Sequence, residues 1–258
     1  MSGPVTAAAD LRRLVVRDLR RELRVLDGLI VNTALPVIIM ILFVYVFGGA
    51  ITTGSSGLDY IDFVVPAVLL MSGGYGAALT AVTISDEMTG GMIDRFRTLP
   101  ISAWVVPAGH IVASVLRNVA SSAIALAAAL LLGFRPNATL SDWLLVLALV
   151  TAYVLALSTL AALWGLLVKS SQAAGAFSFV VLFTPYLSDG IVPAETMPAV
   201  LRAFAANQPL TPIIDTMRAL LLDQPMGSAG LVAVAWLAGT VVVGLPIAAL
   251  LFRRRTAA

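Results

Sequence analysis

The chain has 258 residues, 60% hydrophobic and only 12% charged, with a mean hydropathy of +0.99; a soluble domain carries about 25% charged residues. It has no cysteine and a single histidine, which excludes disulfides, thiolate metal sites and cysteine nucleophiles and leaves little for histidine chemistry. The net charge of +2 is small, but the fifteen arginines and one lysine are clustered, so their placement matters more than their sum.

The N-terminal segment is charged and lacks the apolar core and small-residue cleavage site of a signal peptide, so the first span is expected to remain in the mature protein. In this segment Leu11, Val15, Leu19, Leu23 and Leu26 fall on one helical face, with Arg12, Arg13, Arg17, Arg20, Arg21 and Arg24 around the rest. The pattern predicts an amphipathic helix over 6–27 lying along the membrane surface; a basic flank that only fixes orientation is the other reading.

A spanning helix needs about 20 largely apolar residues, because in hydrocarbon every backbone polar group must be satisfied internally. Such runs extend from Leu29 to Phe47, Phe63 to Ile84, Ile111 to Phe134, Trp143 to Val168, Ser170 to Ser188 and Leu231 to Phe252. The fold class predicted is an all-α membrane protein with six transmembrane helices. Arg117 falls near the start of the third run and is expected to snorkel to the near interface. Thirteen basic residues then fall on one side, from the N-terminal cluster through Arg95, Arg97, Arg117 and Lys169 to Arg253, Arg254 and Arg255. Only Arg135, Arg202 and Arg218 fall on the other, so both termini are expected in the cytoplasm.

The connection over 85–105 begins with Asp86 and Glu87, passes Gly90-Gly91 and runs from Met92 to Pro100. It predicts a short cytoplasmic helix stopped by proline, with Met92, Ile93, Phe96 and Leu99 as an apolar ridge for a partner's groove or for the chain's own bundle. Asp86 and Glu87 are adjacent on a helix and point apart, so they do not form an acid-base pair. The region 191–223 is broken by Pro193, Pro198, Pro209 and Pro212 and predicts two half-length helices on the extracellular side. In the second, Thr211 is expected to cap with Pro212 in the first turn, presenting Ile213, Ile214, Met217, Leu220 and Leu221 on one face. About 11 residues cover only half the hydrocarbon thickness, so this hairpin either dips in from outside or lies on the surface.

No phosphate-binding loop of the form G-x-x-x-x-G-K-[ST] is present: the only lysine lies in Gly165-Leu166-Leu167-Val168-Lys169-Ser170, without the preceding glycine. If ATP drives the protein, another chain must hydrolyse it.

Several stretches together resemble the type 2 ABC exporter permeases, in particular those of the daunorubicin/doxorubicin-resistance kind. They are Glu87-x-x-Gly90, Met92-Ile93-x-x-Phe96 and Leu99-Pro100-Ile101-Ser102; Tyr60-Ile61-Asp62-Phe63-Val64-Val65-Pro66; Leu187-x-x-Gly190-x-x-Pro193-x-x-x-Met197-Pro198-x-x-Leu201; and Asn207-Gln208-Pro209-Leu210-Thr211-Pro212-Ile213-Ile214-Asp215-x-x-Arg218. Ala67 after Pro66 and Asp189 within Ser188-Asp189-Gly190-Ile191 depart from the family's usual residues.

The resemblance implies one membrane domain over 1–258 that pairs with a second permease copy or paralogue, within membrane lipid, and with cytoplasmic ABC ATPase subunits. Those subunits would carry ATP and Mg; no cofactor, metal or nucleic acid is expected on this chain. Glu87, Gly90, Met92, Ile93, Phe96, Arg97, Leu99 and Pro100 would couple to the ATPases. The hairpin, with Pro193, Met197, Pro198, Pro209, Pro212, Asp215 and Arg218, would gate the extracellular side.

Candidates to line a substrate path are Ser72, Tyr75, Thr80, Ser178, Thr184, Tyr186 and Asp189, although serine and threonine in membrane helices more often bond their own carbonyls or join helices. The small residues Gly73, Gly74, Ala77, Ala78 and Ala81 predict close helix packing. The function expected is the permease subunit of an exporter of hydrophobic drugs, antibiotics or lipid-like compounds in a bacterial plasma membrane. A polysaccharide or glycolipid exporter of the same family is the nearest alternative. An ion-coupled secondary transporter, from a different class, would want carboxylates at mid-membrane, and the central span segments contain none.

Overall fold

The computed structural model describes residues 11–17, 26–51, 53, 57–89 and 105–257. Among them the chain is helical throughout its ordered elements, with no strand. After a helical segment α1 (11–17), α2 (Leu26–Ile41) ends in a wide π turn over Leu42–Phe47. The long helices α3 (Tyr60–Thr89), α4 (Val105–Leu131) and α5 (Leu140–Leu167) follow. Next come α6 (Ser171–Phe183), tightening to a 3-10 turn over Thr184–Leu187, the hairpin helices α7 (Ala199–Asn207) and α8 (Leu210–Leu222), and finally α9 (Ala229–Ala257).

Four helices, α3, α4, α5 and α9, are long and apolar enough to cross a membrane; the apolar helical stretches Ala34–Phe47 and Ser171–Leu187 are shorter. Every predicted apolar run lies in a helix. The boundaries shift because a helix continues past the hydrocarbon-like stretch as long as its ends find partners. Thr139 caps α5 reciprocally with Asp142, and Ser170 caps α6 by accepting from the Ala173 amide.

α3 is the axis of the bundle, packed against α4, α5 and α6, whereas α9 packs on α5 and α8 and exposes much of its outer face. The small-residue stripe makes this possible: Ala77, Ala78 and Ala81 are fully buried. A Cβ added at Gly165 of α5 would overlap the Ala81 carbonyl, so the two backbones touch where only glycine fits.

Between these helices runs a polar seam. Thr80 donates to Ser114 Oγ (2.9 Å), Ser114 and Ser158 share a hydrogen bond (2.9 Å), Ser72 pairs with Ser121 (3.2 Å), and Asn118 donates to the Ser114 carbonyl (2.7 Å). Hydroxyls that would be costly alone in an apolar interior thereby fix the register of α3, α4 and α5.

The bundle has two distinct ends. At the base, α1, the last turn of α3 and the start of α4 meet through side chains; at the other end the hairpin docks on the start of α3.

Candidate functional site

At the base the adjacent acids of α3 point apart, and each reaches a different element. Asp86 accepts a short hydrogen bond from the Ser171 hydroxyl at the start of α6. Glu87 is buried and lies 2.7 Å from Nε2 of His110 on α4 and 3.4 Å from Nη2 of Arg17 on α1. The end of α3 is therefore tied at once to α1, α4 and α6. Nearby, Arg255 of α9 donates to the Leu167 and Val168 carbonyls (3.2 and 3.1 Å), satisfying acceptors at the end of α5 that would otherwise be orphaned.

Of the coupling residues expected from the sequence, Glu87 faces into the bundle rather than outward. Gly90, Met92, Ile93, Phe96, Arg97, Leu99 and Pro100 lie outside the described residues. The chain leaves the described structure at Thr89, two residues beyond the Glu87 latch.

At the opposite end the hairpin is folded against the bundle. α8 is buried on nearly every side: Thr216, Arg218 and Ala219 are buried along with Ile213, Ile214, Met217, Leu220 and Leu221. It packs on α3, α5 and α9. The helix begins at Leu210, after Pro209, so Thr211 is not its cap; the hydroxyl instead donates to the Ala205 carbonyl of α7 (2.6 Å).

Arg218 organises this end. Its Nη1 is 2.9 Å from Asp215 Oδ1 and 3.7 Å from Asp189 Oδ2, and its Nη2 donates to the carbonyls of Asp189 (2.9 Å) and Phe63 (3.3 Å). The guanidinium also stacks 4.3 Å from the centre of the Phe63 ring. Asp189 accepts the Ala194 amide (2.5 Å), and the Tyr60 hydroxyl donates to the Ile191 carbonyl (3.1 Å), closing the loop onto α3. Burial pushes the Asp215 carboxyl up to about 6 against the opposing pull of Arg218, and burial likewise raises Asp189. The sequence reading put Asp189 with the path and Asp215 and Arg218 with the gate; the structure brings the three into one cluster.

The other hairpin residues are spread along the loop. Pro193 precedes a 3-10 turn over Ala194–Thr196, Met197 follows it, and Pro198 precedes α7; Pro209 and Pro212 flank the start of α8.

The path candidates do not converge. Ser72 and Thr80 are buried in the seam, and Tyr75 is half-buried on α3. The Ser178 hydroxyl is buried without a hydrogen-bond partner among the described residues. Thr184 bonds back to the Val180 carbonyl (2.5 Å), and Tyr186 packs its ring between Phe43 and Phe183.

Three features went unread in the sequence. His110 and Ser171 gain their roles only through partners 23 and 85 residues away. The third is the contact of Arg117: α4 starts at Val105, ahead of the apolar run, which places Arg117 midway along the helix with Nη2 3.3 Å from the Gly76 carbonyl in the middle of α3.

Comparison with known proteins agrees with this architecture. The chain is 27% identical over 228 residues to a daunorubicin resistance ABC transporter permease protein of Streptomyces coeruleorubidus, covering 86% of this chain and 78% of the relative. It is 25% identical over 239 residues to a probable doxorubicin resistance ABC transporter permease protein of Mycobacterium tuberculosis, covering 92% and 84% respectively. Residues 9–222 match the family model described as ABC-2 type transporter, and the chain therefore belongs to the ABC-2 type transporter family.

Proposed function

We propose that the chain is the membrane half of an ATP-driven exporter of hydrophobic drugs, antibiotics or lipid-like compounds. All six apolar helices cross a bacterial plasma membrane, with the base and both termini in the cytoplasm. Two such halves, identical or paralogous, work with two cytoplasmic ATPase subunits that bind ATP and Mg, and the chain itself carries out no chemistry. The single observation that carries this reading is the family match over 9–222, which takes in both the base and the hairpin; the drug-resistance names of its relatives support the substrate class.

In this reading the latch at the end of α3 is the mechanical junction. The coupling segment follows directly after Thr89, so a push from an ATPase reaches α3 and is passed through Glu87 to α1 and α4 and through Asp86 to α6. The Arg218 cluster holds the hairpin against α3 at the outer side, where a rocking motion of the two halves would release or close it.

ATP hydrolysis in lipid tests the reading, for the chain alone and co-expressed with its cognate ATPase. No activity is expected alone; activity is expected in the complex and reduced by Phe96→Ala in the coupling segment. Absence of a stable complex and of any stimulation would overturn the proposal in favour of an ion-coupled transporter.

A further inference from the structure

His110 is the only histidine in the chain, and histidine is the side chain whose ordinary charge change falls between about pH 5 and 8. It stands in the second turn of α4, just ahead of the apolar run that begins at Ile111. The ring is 6% exposed and its partner Glu87 9%. Ile84, Val106 and Phe252 pack around the pair, and Leu14 of α1 lies against Gly109 next to it. A void of about 10 Å³ adjoins the pair, at the lower limit for one water. The contact is thus made in a nearly dry pocket where α1, α3 and α4 meet.

The charges around the ring come from four helices. α3 contributes Glu87, while its neighbour Asp86 turns away to Ser171. α1 contributes Arg17, 3.4 Å from the other Glu87 oxygen and 40% exposed, with Arg12 and Arg13 exposed beyond it. α9 presents Phe252; its Arg253 and Arg254 are exposed and its Arg255 is turned to the Leu167 and Val168 carbonyls. On α4 itself Arg117 lies two turns further on, at the Gly76 carbonyl.

At 2.7 Å the His110 Nε2 and Glu87 Oε2 atoms have a proton between them, because two bare lone pairs would repel. A second proton on the ring turns the contact into one between a cation and a carboxylate, the stronger kind. Burial opposes the cation, and so does Arg17; the carboxylate favours it. The carboxylate is in direct contact and shielded from water, whereas Arg17 is farther off and screened by solvent, so the attraction outweighs the opposition. The dipole of α4, which also disfavours a cation, acts mainly within the first turn. When the contact opens, ring and carboxylate lose each other, so the closed form holds the second proton more tightly. By linkage acid favours the closed form and alkali its release.

We propose that His110 is a proton-operated catch at the base of the bundle: on taking up a proton it clamps Glu87, and with it the end of α3, to α4, and on losing the proton it frees that end to move. The inference rests on the permease reading for its consequence, since the end of α3 that it restrains is the one that receives the push from the ATPase.

The test uses the full chain in lipid nanodiscs with ring-labelled histidine, which gives one magnetic resonance signal because there is one histidine. The signal is expected to titrate between about pH 5 and 8, with a midpoint about one unit lower in Glu87→Gln. A ring that does not titrate over that range, or a midpoint indifferent to Glu87→Gln, would overturn the assignment. His110→Gln keeps an amide beside Glu87 but cannot change its charge. Hydrogen exchange of the last two turns of α3 is followed as the ratio of wild type to this variant at each pH, so that intrinsic exchange cancels. Protection about tenfold greater in the wild type is expected below the midpoint and near equality above it, tenfold being the counterpart of one unit. The wild type's own protection, corrected for intrinsic exchange, falls by the same factor, so the reading does not depend on the variant's folding. Protection that ignores the titration sinks the catch. Stimulated ATP hydrolysis by the assembled complex keeps the two readings apart: pH-dependent protection without stimulation at any pH defeats the permease reading alone, and stimulation with a ring that does not titrate defeats the catch alone.

Discussion

The two ends of α3 are held in opposite ways. At the hairpin end a buried guanidinium meets two carboxylates, two carbonyls and an aromatic ring within a few ångströms, and α8 around it is buried on nearly all sides. At the base, the polar ties described for α3 are separate side-chain contacts beside an apolar cluster of Ile84, Val106, Ile111 and Phe252, and one of the partners, Arg17, is 40% exposed. A dense cluster resists displacement because moving any member strands the others, whereas isolated contacts can break and re-form one at a time. Under the proposed function the contrast suits a device that is driven from the base and keeps its outer closure intact until the whole bundle moves.

Replacing Arg218 challenges the contrast most severely. Arg218→Ala leaves the Asp189 and Asp215 carboxylates without their counter-charge and frees two carbonyls, a loss of about 3 kcal/mol, or roughly 6–12 °C in a melting temperature measured in detergent. Arg218→Lys keeps the charge but not the planar fork or the stacking on Phe63, so an intermediate loss is expected. A melting temperature unchanged in both variants would mean that the hairpin is held by apolar packing alone.

At the base the prediction is reversed: little stability, much function. Glu87→Gln keeps a hydrogen-bonding group beside His110 but removes the charge facing Arg17, and should cost under about 1 kcal/mol in unfolding because that ion pair is partly exposed. Its effect is expected in the assembled transporter as a loss of stimulated ATP hydrolysis of about fivefold or more. A variant that melts well below wild type while coupling normally would erase the distinction between the two ends.

The smallest expected effect sharpens the picture of the cluster. The Asp215 carboxyl binds its proton more tightly in the folded chain, at about 6 against an ordinary 3.8. The folded state therefore holds more protons than the unfolded one in that interval. Stability from this group is present below about pH 4 and is lost as the pH rises through about 6. Asp215→Asn should flatten that part of the stability profile, read as melting temperature against pH; an unaltered slope would assign the titration elsewhere.

The hairpin also illustrates how a pattern on one helix misleads about its surroundings. Ile213, Ile214, Met217, Leu220 and Leu221 form an apolar face, and all five are buried as the periodicity requires. The same periodicity implies that the opposite face is wet, yet Thr216 and Arg218 are buried too, because Phe63 and Asp189 arrive from distant parts of the chain to receive them. The base shows the converse. That Asp86 and Glu87 diverge follows from helical geometry alone, but their partners Ser171, His110 and Arg17 are unrelated to them by any local spacing.

By itself the sequence determined that this protein lives in a membrane, that its long apolar runs are helical, and the family to which it belongs. Those properties follow from how much apolar side chain each run carries and from motifs read along a line, and neither depends on what lies opposite. Only the tertiary structure decided that Arg117 sits mid-helix, that Ser72 and Thr80 join helices inside one chain, and that Asp189, Asp215 and Arg218 are one cluster. A polar side chain within an apolar helix is silent about its partner, since every helix offers the same carbonyls and hydroxyls, and the choice among them is made when helices pack.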